Sequence, residues 1–467
     1  MNPPTATSHP ATGVDELRAR IAGDYVTPAD PNWDEARLAW NLAVDQRPAA
    51  VALPETAEDV AEVVRYARDN GLKMAPQSTG HNAHPLELAQ TVLVKTERLR
   101  SVEIDPEARI AIIGGGAIWQ DVTHPAAEHG LAALAGSSPD VGVLGYSLGG
   151  GLSWLARSKG LAANMIEAIE IVTADGEIVR ADADNEPDLY WAVRGGGGNF
   201  GVVTAIEMDL IPLTEVHAGV LFFPIERAHE VLHAWREWVK NVPDEVTSVG
   251  RLLRFPPLEE IPEPVRGGKF AVIEATMLVD EAEAADLLAP LRALGPAMDT
   301  FATIPVTELQ HLHMDPPHPV PGKGDGLLLR DLPAKALDSL LEVTGPGVES
   351  PLLSVEIRHI GGAAGRPDPN GGALDSIDAP FVMFAVGMTP VPEMVEAVEA
   401  HVNIAKRALG AWDRGLMYLN FAEHKIDPSR LWSPAAYLRL RKIRAAYDPD
   451  ELFRANHPVP PFPVAAE

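Results

Sequence analysis

The chain has 467 residues, enough for two large domains, and 46% of them are hydrophobic, so a sizeable core is expected. Acidic residues outnumber basic ones by 66 to 38, and the formal charge of −28 excludes nucleic acid and anionic membranes as natural partners. The absence of cysteine excludes disulfides, thiolate metal sites and cysteine nucleophiles.

The N-terminal dozen residues read as a loose tail, and the first twenty lack the apolar core of a signal peptide. No apolar run approaches the ~20 residues that span a bilayer, so a cytoplasmic location is expected. Ala50–Leu53 reads as a short apolar strand. Thr56-x-x-Asp59 then predicts a capping box for a helix whose apolar face is Val60, Val63, Val64 and Ala67, with Asn70-Gly71 as its stop. A second strand, Lys73–Pro76, runs directly into the turn Gln77-Ser78-Thr79-Gly80-His81. Further strands are predicted at Ile110–Ile113, Ala168–Thr173 and Val202–Leu210. Beyond Pro212 the strands lengthen, at Ala218–Pro224, Phe270–Val279, Leu352–Ile360 and Phe381–Val386. Amphipathic helices at Ala228–Lys240, Glu281–Leu294 and Pro392–Leu409 lie between and after them. This order implies an antiparallel sheet with helices on one face, and hence an α+β protein. Pro316–Gly326 is the expected mobile loop.

Four glycine-bearing segments fall within the first half: Ser78–His81, Gly114–Ala117, Gly136–Gly151 and Arg194–Gly201. Glycine lets the backbone approach a ligand closely, and successive N–H groups can then cradle a pyrophosphate. Any one segment would be an ordinary turn; four in one domain point to a dinucleotide. Gly196-x-Gly198-x-x-Gly201 formally matches the nicotinamide fingerprint, which requires a following helix. The residues that follow, VVTAIEMDL, alternate like a strand, so a Rossmann dehydrogenase is disfavoured.

The series QSTGH (77–81), GSSPDVGVLGYSLGGG (136–151), KGLAANMI (159–166), RGGGGNFGVVT (194–204) and YDPDELFRANHPVPP (447–461) resembles the berberine-bridge-enzyme-like group. That group belongs to the vanillyl-alcohol-oxidase superfamily of FAD-linked oxidases. The resemblance covers about half the chain, with weaker support from RHIGGA (358–363) and YLNF (418–421). It implies a two-part FAD-binding domain of the PCMH type at residues 1–214, with its core at about 46–214. A substrate-binding domain at 215–425 and a C-terminal segment at 426–467 returning to the FAD domain complete the expected organisation.

The resemblance assigns roles residue by residue. Gln77, Ser78, Thr79, Gly80 and Asn82 would wrap the cofactor, and His81 would bond to the 8α-methyl carbon of FAD. Ser137 and Ser138 lie where many relatives carry a second, cysteinyl attachment, which this chain cannot make. Val141 occupies the position beside the reactive edge of the flavin, where a small residue goes with oxygen access and oxidase behaviour. Gly142, Gly145, Gly149, Gly150 and Gly151 would lie against the pyrophosphate and ribityl chain. Gly201, Val202 and Val203 would meet the adenine, and Asn456 the pyrimidine end of the flavin. In the family segment Tyr-x-Asn-Tyr, this chain has Tyr418, Asn420 and Phe421. Tyr418 is then the expected base, and the second tyrosine hydroxyl is lost.

Arg358 and His359 stand on a strand expected to face the flavin, and alternation lets only one of them point at the site. Arginine would lower a tyrosine pKa or hold a carboxylate; histidine would itself be a base. His84, His124 and His129 read as ordinary histidines, and His311, His313 and His318 lack a metal-site pattern. The expected activity is oxidation of a small alcohol, sugar or phenol, with O2 reduced to hydrogen peroxide. A dehydrogenase using another acceptor, or a relative that binds flavin and ligand without net oxidation, are the alternatives.

Overall fold

The computed structural model describes residues 13–259 and 261–463, so the expected N-terminal tail lies outside the described residues. The fold is α+β and contains three substantial sheets. The first has the order Asp24–Val26, Ala50–Leu53, Thr91–Lys95, Lys73–Gln77, and its last three strands are parallel. Helix Ala57–Asp69 forms the crossover between Ala50–Leu53 and Lys73–Gln77 and buries Val60, Val63, Val64 and Ala67 completely. Thr56 caps this helix by accepting the Asp59 N–H. Asp59 does not complete the reciprocal box. Its carboxylate instead accepts the N–H groups of Ala22 (2.9 Å), Gly23 (3.0 Å) and Glu55 (2.9 Å), stapling the N-terminal segment to the helix.

The second sheet is antiparallel, in the order Val102–Asp105, Ile110–Gly114, Val202–Asp209, Ile166–Val172, Ile178–Asp182. Val202–Asp209 follows the glycine-rich turn immediately as a strand, so the geometry of a nicotinamide fingerprint is not formed. The third sheet is wholly antiparallel, with Lys269–Met277 and Val246–Arg254 near its centre and Gly322–Leu329 at one edge. The predicted mobile loop therefore has to be shortened: residues 322–326 belong to this edge strand, paired with Phe381–Met388. The polar, glycine-rich sequence GKGDG hid the strand because cross-strand pairing, not side-chain pattern, holds it.

One face of the third sheet carries the helices Ala228–Trp238, Glu281–Arg292, Ala334–Thr344 and Pro392–Ala408 over a common apolar core. Its other face packs on Leu134, Trp154, Leu155 and Ala162, which belong to the segments that follow the glycine run and its flanks. This is why Val246–Arg254 is buried at every position, although Thr247, Ser248, Arg251 and Arg254 interrupt its apolar residues. The C-terminal residues return to the first half. Helix Pro434–Tyr447 sets Leu440 and Ile443 into the core of the second sheet, and Phe453 bridges Met74. Among the described residues no helix is long and apolar enough to cross a membrane.

Asp59→Ala leaves three backbone N–H groups without their acceptor. Bonds to a charged acceptor contribute roughly 1.5–3 kcal/mol each at most, and water entering the vacated space recovers part of the loss. A destabilisation of roughly 2–3 kcal/mol is expected, read as a lower denaturant midpoint with an unchanged slope.

Candidate functional site

The turn after Lys73–Gln77 is fixed from the outside. Trp40 N–H donates to Thr79 O at 2.9 Å and Asn41 N–H to Gly80 O at 3.3 Å. Gly80 adopts φ +81°, and a Cβ there would press on Ala39. His81 emerges from this turn with its ring stacked on the Trp40 indole, centroids 3.8 Å apart and planes inclined by 18°. Trp40 Nε1 donates to Asp140 Oδ2 at 2.6 Å, and Ser138 Oγ donates to Asp140 Oδ1 at 2.9 Å. His81 Nε2 lies 3.2 Å from that same Oδ1, an ion-pair distance without hydrogen-bond alignment. Burial pushes the Asp140 carboxyl up, but His81, Ser138 and Trp40 outweigh it and hold the carboxyl below its ordinary value.

Asn82, next in the chain, is tied to the C-terminal segment. Asn456 Nδ2 donates to Asn82 O at 2.5 Å, and His84 Nε2 lies 3.2 Å from Asn82 Oδ1. His84 and His457 meet edge to face at 5.1 Å, and burial lowers each to a pKa of about 4, so both are neutral. Asn199 extends this seam, donating to His457 O at 3.0 Å and accepting the Val459 N–H at 2.9 Å.

The run from Ser137 to Gly151 forms the floor between these groups and the third sheet. Ser137 Oγ donates to Asp315 at 2.7 Å. Gly142 lies so close to Ser78 that a Cβ would overlap its hydroxyl, and a Cβ on Gly149 would overlap the Asn420 carboxamide oxygen. Gly145, by contrast, has nothing within 4 Å of its Cβ position. Tyr418 lies over Gly150, its ring 3.1 Å from that glycine's Cβ position. Asn420 Nδ2 donates both to Tyr146 O (2.9 Å) and to the Tyr418 hydroxyl (3.1 Å). Burial raises the Tyr418 pKa well above that of free tyrosine; the Asn420 side chain, the Gly151 N–H, Arg358 and the Leu152 N–H pull against it. Tyr418 is therefore protonated at neutral pH in the resting protein.

Arg358 points towards Phe421, its guanidinium 5.0 Å from the ring centre, and its Nε donates to Glu356 Oε1 at 2.6 Å. His359 points away, as strand alternation requires. It stacks on Phe381 at 5.5 Å and meets Arg157 Nη1 at 3.0 Å. Burial and the Arg157 charge lower its pKa to about 3, leaving it a weak base. Gly201, Val202 and Val203 enter the second sheet, and Gly201 is pressed against Val172 O. Val141 is half-buried at the start of the glycine floor, its carbonyl accepting the Trp119 N–H at 3.1 Å.

A second cluster escaped the sequence reading. His313 is buried between two carboxylates, Nδ1 2.6 Å from Glu274 and Nε2 2.8 Å from Glu356. Arg251 Nη1 donates to Glu274 at 2.9 Å. Burial and Arg251 push the His313 pKa down, but Glu274, Glu356 and Asp315 outweigh them and raise it to about 9. The signal was present: Glu274 in AVIEATM and Glu356 in LLSVEI interrupt apolar strands, and buried carboxylates need paired cations. Trp40, Asp140 and Tyr146 were also missed. Among the described residues, His229, His233 and Asp338 have metal-like spacing on the helical face of the sheet, away from the loop histidines.

The donor set fits a flavin dinucleotide. Buried polar atoms without partners gather along this floor: Gln77 Nε2, Ser78 Oγ, Tyr146 Oη, Ser147 Oγ and His457 Nε2. Such atoms are costly unless a ligand meets them. A family model described as an FAD binding domain matches residues 48–182, and one described as berberine and berberine like matches residues 417–460. The protein is an FAD-dependent oxidoreductase.

The chain is 29% identical to the (R)-6-hydroxynicotine oxidase of Paenarthrobacter nicotinovorans over 464 residues, 94% of this chain and 97% of that one. It is 32% identical to the xylooligosaccharide oxidase of Thermothelomyces thermophilus over 240 residues, 49% of this chain and 47% of that one. The crystal structure of 6-hydroxy-D-nicotine oxidase from Arthrobacter nicotinovorans matches with a TM-score of 0.82 at 26% identity, covering 96% of this chain and 99% of that one. The chain thus carries an FAD-binding region and a berberine-like C-terminal region, and it is similar along nearly its whole length to FAD-linked oxidases.

His313 gives the second cluster a pH signature. Its folded-state pKa of about 9 stands above the ordinary value near 6.5, so its contribution to stability is full below that value and is lost as pH rises through about 9. His313→Gln leaves Glu274 and Glu356 without their shared cation, at an expected cost of roughly 3–5 kcal/mol near neutral pH. Thermal melts across pH should show the gap between wild type and variant narrowing above about pH 9.

Proposed function

We propose that the protein is an FAD-dependent oxidase, linked to its flavin through His81 alone, that oxidises a small alcohol, sugar or phenolic metabolite and reduces O2 to hydrogen peroxide. The observation that carries this reading is the setting of His81: a stacked histidine 3.2 Å from a carboxylate, beside a floor of unpartnered polar atoms. The absence of cysteine rules out a second, thioether attachment at Ser138. Val141, small and half-buried at the start of the floor, supports oxygen access.

FAD, when bound, supplies a two-electron acceptor that takes a hydride from the substrate. Gln77, Ser78, Thr79, Gly80, Asn82, Ser137, Ser138 and the glycines at 142, 145 and 149–151 would hold it. Gly201, Val202 and Val203 would meet its adenine, and Asn456 its pyrimidine end. Asn420 bridges floor and base, keeping the Tyr418 hydroxyl oriented with one amide hydrogen and Tyr146 O engaged with the other. Tyr418, once its own phenol proton has been lost, takes the substrate's hydroxyl proton. Arg358 favours that ionised form against burial without overcoming it, so the form grows towards alkaline pH. His359, neutral and turned towards Arg157, serves packing rather than proton transfer.

Two experiments test this reading. Purified protein should be yellow and keep its colour with the polypeptide through acid precipitation, whereas His81→Ala should release the flavin. Colourless wild-type precipitate would remove the covalent link and leave the FAD-dependent class intact. Separately, Tyr418→Phe should slow anaerobic flavin reduction by roughly 10²–10⁴-fold and flatten its pH profile. Because the wild-type phenol is held neutral, the wild-type rate should climb towards alkaline pH. Reduction of the variant at the wild-type rate would leave Tyr418 a packing residue.

A further inference from the structure

The proposed anchor, His81, is one member of a four-residue cluster drawn from three distant parts of the chain. Asp140 is its hub. One carboxylate oxygen takes the Trp40 indole N–H at 2.6 Å; the other takes the Ser138 hydroxyl at 2.9 Å and lies 3.2 Å from His81 Nε2. Nε2 is buried and has no other partner among the described residues. The Trp40 ring, stacked at 3.8 Å, fixes the imidazole plane so that this edge stays towards Asp140.

We propose that Asp140 is the positioning residue for covalent flavin attachment: it keeps the His81 proton on Nε2, leaves the lone pair on Nδ1, and faces the positive charge that develops on the ring as Nδ1 bonds. This rests on the covalent reading of His81. The surroundings keep Asp140 ionised, since its three donors outweigh its burial. A carboxylate at 3.2 Å from a ring becoming cationic is electrostatic stabilisation already in place before the charge appears. The stacked indole face adds attraction for the same cation.

The chemistry balances with O2 as the oxidant. A bond forms between His81 Nδ1 and the 8α-methyl carbon of oxidised FAD, and one methyl C–H bond breaks. That methyl hydrogen and the imidazole hydrogen, with two electrons, end on the ring system, giving linked, reduced flavin with no atom lost. O2 then removes two electrons and two protons as hydrogen peroxide. The product is linked, oxidised flavin, lighter by two hydrogens than its two parts.

The test uses the full chain expressed under riboflavin limitation and then supplied with FAD in air. Covalent product is followed by flavin fluorescence in denaturing gels and by intact mass, and non-covalent binding by flavin retained before denaturation. Asp140→Asn keeps one acceptor oxygen for the Trp40 N–H, leaves the Ser138 hydroxyl to accept from the new amide, and removes the charge. It should bind FAD and attach it roughly 10²-fold more slowly than wild type. A purely structural role predicts lost binding or lowered melting temperature with no selective loss of attachment. Attachment by Asp140→Asn at the wild-type rate overturns the inference and leaves the anchor reading standing. Absence of covalent flavin on wild type itself overturns the anchor reading, and this inference with it. Should Asp140→Asn fail to hold FAD, Asp140→Ala with added formate replaces it: covalent product that forms only with formate supports the role, and none in either case overturns it.

Discussion

The site depends on how closely backbone can approach side chain along residues 142–151. Gly142 meets Ser78 and Gly149 meets Asn420 at separations that leave no room for a Cβ. Ser78 belongs to the turn after the first parallel sheet, and Asn420 to a short helical turn after the third sheet's last strand and helix. The glycine run is therefore the common surface on which two otherwise separate layers meet. An alanine at either position would push the layers apart and move His81 and Tyr418 relative to one another. The same run leaves Gly145 bare, so backbone is presented where a ligand can lie against it.

Charge is distributed around that floor in two compartments. On the side of the first sheet, Asp140 is satisfied by an indole, a hydroxyl and an imidazole, none of which is a permanent cation. On the side of the third sheet, two buried glutamates are matched by Arg251, Arg358 and a protonated His313. Breaking such a buried pair is costly because the remaining charge cannot reach water. The network therefore fixes Arg358 rather than leaving it free to follow a substrate, and its guanidinium lies against Phe421 and within electrostatic reach of Tyr418.

Phe421 has a physical role that its missing hydroxyl obscures. A ring face accepts a guanidinium without competing for its hydrogen bonds, so Arg358 can stay paired with Glu356 while lying over Phe421. Phe421 also contacts Tyr418 edge to face at 5.2 Å and Phe384 at 4.8 Å, closing the apolar side of the pocket. The single tyrosine hydroxyl that remains is held by Asn420, two residues away in sequence. Phenylalanine at 421 thus leaves the Tyr418 hydroxyl with its own orienting group.

The sequence alone determined the α+β class, nine of the described strands and three of the four helices over the third sheet. Those follow from local signals, apolar periodicity and turn residues; the glycine segments pointed to a dinucleotide, and the family resemblance made it a flavin. It misread GKGDG as loop, because an edge strand held by backbone pairing needs no side-chain pattern. It assigned Asp59 to a capping box because the competing donors, Ala22 and Gly23, lie far away in the chain. It named His81 but not Asp140 or Trp40, and it passed over His313 as a loop histidine. Only tertiary structure could decide these, because the identity of a buried group's partner depends on which distant segments the fold brings within hydrogen-bonding distance. Strand alternation said that Arg358 and His359 diverge; the packing of Phe421 on one side and Arg157 on the other decided which of them faces the flavin floor.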